Sequence, residues 1–297
     1  MITPVSVGIM AFNEEKNIGV LLKSLLKHRS EKSKIEEIIV VSSGSTDMTN
    51  HIVKKQAKKD KRIKLIVEQK RKGKASAVNI FIAKAKKNIL VLISADVAID
   101  ASTLDNLITP FKNHSVGITG AHPIPVNDPS TCMGFAAHLL WQLHHEVALK
   151  TPKMGEMIAF RKIFKRIPVS TAVDEATIEP LIRGQGYKAV YVPNAIIYNK
   201  GPETVGEFIA RRRHIYFGHL VTKHEYSYEV ATMNGIRIIF LLLKNLTLSF
   251  RSILYTPCVV ALEIVSRVLG FLDYKFKLKN HTIWEVTPST KTIVRAV

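Results

Sequence analysis

The segment Asn88-Ile-Leu-Val-Leu-Ile-Ser-Ala-Asp-Val97 constrains this 297-residue chain more than any other stretch. Its apolar run, Ile89 to Ile93, has the length of a fully buried strand. A strand with one wet face alternates polar and apolar residues; an unbroken run asks for helices on both sides of its sheet. The run ends in Ser94-Ala95-Asp96, which leaves one carboxylate at the strand's C-terminal edge. Ligands of open α/β sheets bind at that edge. Asp96 there suits a divalent cation carrying phosphates, and it equally suits a residue that only starts the next turn.

The flanking pattern supplies the helices. Val5–Met10 reads as a first strand, and Ile18, Leu21, Leu22, Leu25 and Leu26 then recur on one helical face. Ile35–Val41 is a second strand, followed by Ser45-Thr46-Asp47, capping residues for a helix to about Lys59. Arg62–Val67 is a third strand and Gly73–Lys87 a helix leading into Ile89–Ile93. Strands alternating with helices predict a doubly wound α/β fold with a mostly parallel sheet. Beyond it lie a short strand at 115–120, a proline-punctuated loop at 122–129 and a helix at 131–150. A helix at 174–182, a strand at 186–192 ended by Pro193 and a basic helix at 203–221 complete this part.

After Asn234 the chain becomes strongly apolar over Ile236–Leu243 and Ser252–Leu272, with Arg237, Lys244, Arg251, Glu263 and Arg267 interrupting or flanking. No stretch holds the roughly 18 uncharged apolar residues of a spanning helix. The expectation is a domain over residues 1–224 and a helical, membrane-associating extension over 225–297, its helices lying in the interface. Tyr274, Lys275, Lys277, Lys279 and Trp284 suit a headgroup region. A helical cap or a dimer interface would use the same residues.

The net charge is +19, with 14 Lys or Arg against two acids between Lys54 and Lys87. Such a field favours polyanions, phosphorylated substrates or an anionic membrane; a solvated lysine-rich surface reads the same way. No nucleic-acid motif with stacking aromatics accompanies it, so nucleic acid is not an expected partner. Cys132 and Cys258 lack metal spacing and form no disulfide framework, which suits a reducing cytosolic setting. No basic-then-apolar leader precedes the first strand, so export of the catalytic part is not expected. His138, His144 and His145 lack a matching acid and are read as structural.

Several motifs fall in order: Ala11-Phe-Asn-Glu-Glu15, Val40-Val-Ser-Ser-Gly-Ser-Thr-Asp47, Gly73-Lys74, Ser94-Ala-Asp96, Gly155-Glu156, Asp174-Glu175 and Arg211-Arg-Arg-His214. The series resembles the inverting nucleotide-sugar glycosyltransferases of the Rossmann-like GT-A fold, the family of dolichol-phosphate mannose synthases and of cellulose and hyaluronan synthases. The resemblance covers roughly residues 4–221. It implies sugar transfer with inversion from a nucleotide-sugar donor to a lipid-linked (polyprenyl-phosphate) or glycan acceptor, aided by Mg²⁺ or Mn²⁺, on the cytoplasmic face of a membrane. Ala11, Asn13, Glu14, Ser42, Lys74, Ser94 and Ala95 then fall at donor-binding positions and Asp96 at the metal position. Asp174-Glu175 matches the acidic pair, with Glu175 as the base that takes the acceptor's proton. Arg211, Arg212, Arg213 and His214 occupy the place of the Gln-x-x-Arg motif and are assigned to phosphate or acceptor. The chain departs from the family at Ser42 and Ser43, where two aspartates are usual, and at Ser94, where the first metal-motif acid stands.

Overall fold

In the computed structural model, which describes residues 2–247 and 249–292, the alternation is present. Strand β1 (Thr3–Ala11), helix α1 (Ile18–Lys27), β2 (Ser33–Ser43), α2 (Thr49–Lys59), β3 (Ile63–Glu68), α3 (Lys74–Lys84) and β4 (Ile89–Ser94) follow one another. β1 lies between β2 and β4, parallel to both, and β2 is parallel to β3. Ile89 to Ile93 are all buried, as the unbroken apolar run requires. Val5, Val7 and Ile9 face one layer with Leu21, Leu22 and Leu25 of α1. Met10, Leu90 and Leu92 face the other with Val78, Phe81 and Ile82 of α3.

The second half is less regular. It runs β5 (Val97–Ile99), α4 (Thr103–Ile108), β6 (Val116–Pro125), α5 (Cys132–Lys150), β7 (Met157–Arg161), α6 (Asp174–Arg183), β8 (Lys188–Asn199) and α7 (Val205–Tyr226). The eight-stranded sheet has the order β3-β2-β1-β4-β7-β6-β8-β5. β7 runs antiparallel to β4 and β6, and β5 antiparallel to β8, while β6 and β8 are parallel. The doubly wound, mostly parallel α/β class therefore holds.

Strands β5 and β7 are too short to announce themselves by periodicity. Pro193 does not end its strand; β8 runs through it to Asn199. The proline lies where the β6–β8 register shifts between Gly120 and His122, so the ladder bond it cannot donate is not needed.

Two further helices, α8 (Gly235–Lys244) and α9 (Phe250–Phe276), follow α7. α9 packs on α7 at Gly270, where an added Cβ would come within 2.7 Å of the Arg213 carbonyl oxygen. The arginines of α7 hold it there. Arg212 pairs with both oxygens of Glu263 (2.7 and 2.8 Å), and Arg213 with Asp273 at 2.5 Å. Arg212 and Arg213 thus anchor the C-terminal helix and do not form a shared phosphate clamp. The opposite faces of both helices are exposed and apolar, with Ile236, Phe240, Leu243, Phe250, Ile253 and Val268 among them. At 27 residues, α9 is longer than the sequence suggested. It contains an 18-residue window of mean hydropathy 1.6, of which only 22% is buried, and by length and composition it could cross a membrane.

Gly8 on β1 has no space for a side chain, because a Cβ would sit 2.5 Å from the Phe81 ring. Gly8→Ala is expected to cost about 1–3 kcal/mol by overpacking. A Phe81→Leu background should restore part of that loss in a denaturant-unfolding double-mutant cycle; additive losses would show that the ring is not the obstacle.

Candidate active site

Parallel pairing fixes the site. Ala11 lies beside Ser42, and Met10 beside Ser94, so the C-terminal ends of β1, β2 and β4 open at one edge. A cleft of about 240 Å³ lies there, lined by Ala11, Glu14, Ser43, Lys74, Ser94, Asp96, Glu175 and Arg211 among others. It is rich in carboxylates. Burial, and then neighbouring Asp96, push the Glu14 carboxyl up to about 7 against the pull of Lys291. Burial raises Glu156 too, against the effect of Arg211, whose guanidinium lies 2.8 Å away. Asp96 itself makes no hydrogen bond or ion pair with the described residues and faces the cleft.

Lys74, at the start of α3, reaches across to the start of α6. Its Nζ lies 2.8 Å from Glu175 and 3.0 Å from Asp174. The two acids respond oppositely. Burial and the adjacent Glu175 charge push Asp174 up to about 7. Glu175 stays below the ordinary glutamate value because Lys74 outweighs its burial. Only Glu175 lines the cleft; Asp174, 2% exposed, sits behind it. Asp96, Glu175 and Arg211 therefore stand around one space, an arrangement able to hold a cation, take a proton and bind phosphate.

Other expected donor contacts have structural employment. Asn13, in the left-handed region at φ 51°, accepts from the Thr46 backbone N–H and ties the β1–α1 turn to the β2–α2 turn. Asp47 does the same from the other side, accepting from the Glu15 N–H and from Thr49. Ser42 is fully buried and donates to the Ser45 hydroxyl, and it is Ser43 that reaches the cleft. The side chain of Ala95 is buried behind the wall while its N–H bonds the Met10 carbonyl. His214 is buried, bonds the Ala172 carbonyl and packs its ring 3.9 Å from that of Trp284, so it holds local structure. Burial lowers it to about 4, leaving it neutral.

The C-terminal segment returns to the cleft. Trp284, Thr290 and Lys291 line it. Lys291 bonds the Phe12 carbonyl (2.9 Å) and the Glu14 carboxylate, and Arg71 donates to the Trp284 carbonyl at 2.6 Å. Trp284 thus belongs to the site and not to a headgroup layer. Sequence reasoning also gave no role to Trp141, Lys153 or Glu156, which line the same cleft. Gly155-Glu156 stood among the motifs, but nothing in the spacing of Trp141, Lys153 or Lys291 marks them; the tertiary path alone brings them in.

The sequence model of glycosyl transferase family 2 matches residues 6–167, more than half of the chain. The chain is 23% identical over 211 residues to poly-beta-1,6-N-acetyl-D-glucosamine synthase of Staphylococcus aureus, covering 67% of this chain and 50% of that protein. It is 26% identical over 141 residues to human dolichyl-phosphate beta-glucosyltransferase, covering 45% and 41% of the two chains. The matched region spans about half the length of these relatives. Among solved structures, a mannosyltransferase from Pyrobaculum calidifontis in complex with GDP-Man and Mn²⁺ has the same fold at TM-score 0.63 and 20% identity, covering 93% of this chain and 88% of that one. Glucosyl-3-phosphoglycerate synthase from Mycobacterium tuberculosis, in complex with Mn²⁺ and UDP, shares it at TM-score 0.51 and 18% identity, covering 74% of this chain and 80% of that one. With the GT-A fold and the order of its motifs in place, the family match shows that this chain is a member of glycosyl transferase family 2.

Proposed function

We propose that this chain moves a sugar, with inversion, from a nucleoside-diphosphate sugar at the β1–β2–β4 edge to a lipid-linked or glycan acceptor. The observation that carries the reading is Asp96: a carboxylate at the end of β4, facing the cleft without a hydrogen bond or ion pair among the described residues. Mg²⁺ or Mn²⁺ fits there. The neighbouring Glu14 carboxyl is raised partly by Asp96, so negative charge faces the cleft uncompensated. Among the described residues no three His, Cys, Asp or Glu side chains surround one point. The remaining ligands would be pyrophosphate oxygens and water, as is usual for Mg²⁺. The bound ion would offset the charge growing on the departing nucleoside diphosphate.

The protein's own groups supply the rest. Glu175, kept ionised by Lys74, faces the cleft and takes the proton where the acceptor presents a hydroxyl. Asp174 holds its own proton up to about neutral pH and so limits repulsion within the pair. Arg211, paired with Glu156, directs its guanidinium at the cleft as a phosphate contact. Cytoplasmic, peripheral association with a membrane through α8 and α9 completes the reading. Their apolar outer faces lie on a chain of net charge +19, which an anionic surface attracts.

Four substitutions test these assignments. Asp96→Ala should lower metal-dependent release of nucleoside diphosphate by about 10³-fold or more, and Glu175→Gln by about 10² to 10⁴-fold toward a hydroxyl acceptor. Turnover would be measured with GDP- and UDP-sugars and Mn²⁺; unchanged rates in Asp96→Ala would remove the metal role. The raised Asp174 carboxyl means that the folded chain binds more protons than the unfolded one between about pH 4 and pH 7, so this group's contribution falls as pH rises through that window. Asp174→Asn should flatten the slope and gain about 1–3 kcal/mol at pH 8; parallel melting curves for the two proteins across pH 4–8 would contradict it. Phe240→Glu, on the exposed face of α8, should reduce co-sedimentation with anionic vesicles several-fold while melting is unchanged, and equal sedimentation would argue against this face.

A further inference from the structure

A second cavity, of about 380 Å³, lies between α5, α7, α8 and α9. Its wall is apolar: Met133, Ala137, Leu143, Ile238, Leu242 and Val259 contribute to it. Its inner end is not. Trp141, Lys153, Glu156, Arg211, Ile215 and His219 line this cavity and the cleft alike, so the two meet at a polar wall. Its outer rim includes Ile239 and Ile264, each more than half exposed, on the apolar faces of α8 and α9.

Lys153 distinguishes the junction. It forms no ion pair or hydrogen bond with the described residues, although Glu156, Glu175 and Glu179 lie in its field. The three arginines of α7 are all paired, so among the described residues Lys153 is the cation at this junction left without a counter-ion. Burial, and then Arg212, push its ammonium down to about 8, the response of a cation lacking its anion.

We propose that this cavity takes the single apolar chain of a lipid phosphate acceptor, threaded from the membrane-facing rim so that its phosphate meets Lys153 beside the donor cleft. The inference rests on the transferase reading and narrows its acceptor. Three observations support it together: an apolar cavity of chain-like lining, continuity with the exposed α8–α9 face, and an unpaired cation where the cavity meets the cleft. A glycan would leave the apolar wall empty and bring hydroxyls to a surface with few partners for them.

The chemistry closes without a base. A phosphate oxygen of the acceptor attacks the anomeric carbon; the bond from that carbon to the diphosphate oxygen breaks, and its electron pair leaves with the nucleoside diphosphate. The acceptor enters as a dianion and the product is a monoanionic phosphodiester, so no proton need be removed. Glu175 then orients the sugar or the phosphate instead of deprotonating it.

The test uses the full chain, Mn²⁺ and a panel of GDP-mannose, UDP-glucose and UDP-N-acetylglucosamine. Acceptors are farnesyl phosphate, methyl phosphate and a soluble oligosaccharide. Farnesyl phosphate should accelerate nucleoside diphosphate release and appear as the glycosyl phosphodiester, with methyl phosphate and the oligosaccharide far slower. Lys153→Gln should raise the KM for farnesyl phosphate about tenfold or more. Leu242→Trp, which fills the cavity, should lower kcat/KM for farnesyl phosphate at least tenfold while the thermal shift given by nucleoside diphosphate and Mn²⁺ stays as in the parent. Equal use of methyl phosphate or oligosaccharide, or unchanged constants in both variants, overturns the lipid-chain assignment. Nucleotide binding and slow donor hydrolysis without stimulation by farnesyl phosphate overturns it too, leaving the transferase standing. Failure of every donor to bind removes the transferase reading and this inference with it.

Discussion

Crowded carboxylates are the constraint around which this cleft is organised. Glu14, Asp96, Glu156 and Glu175 face one small space, with Asp174 directly behind. Left alone, such a group would protonate or force itself apart. Three of the cations that line it, from three separate elements, pair with these acids: Lys74 from α3, Arg211 from α7 and Lys291 from the C-terminal segment. Each neutralises a different acid, and Asp96 is passed over. That selective neglect fits a carboxylate kept for a ligand, since charge balance at Asp96 must then come from what binds.

The α/β frame was legible because its information is local. Ile89–Ile93, the α1 stripe of Ile18, Leu21, Leu22 and Leu25, and the turn residues after β2 each act within one element or one turn. The edge where the cleft opens follows from the parallel order alone, and Asp96, Lys74 and Glu175, picked out by their motif positions, all line that cleft. At Asn13, Ser42 and Ala95 the motif positions do not announce the structural bonds that these residues make. There the local pattern is genuine, but the side chains hold the two loops and the wall together.

The arginine run shows the limit most clearly. In sequence, Arg211, Arg212 and Arg213 form one basic cluster. On a helix, consecutive residues point about 100° apart, so they serve three different neighbours: Glu156, Glu263 and Asp273. Two of those partners lie more than 50 residues downstream, and no spacing rule connects them. The same holds for Lys153 and Trp284, whose place depends on how the chain returns to the sheet edge.

That return has an optical consequence. The chain has two tryptophans, Trp141 and Trp284, and both line the same cleft from elements far apart in sequence. One indole packs against His144, the other against His214. Emission excited at the red edge of the absorption band, where the eight tyrosines absorb little and the indoles still do, therefore originates at a single locality. Anything that enters, leaves or rearranges there is reported without a label.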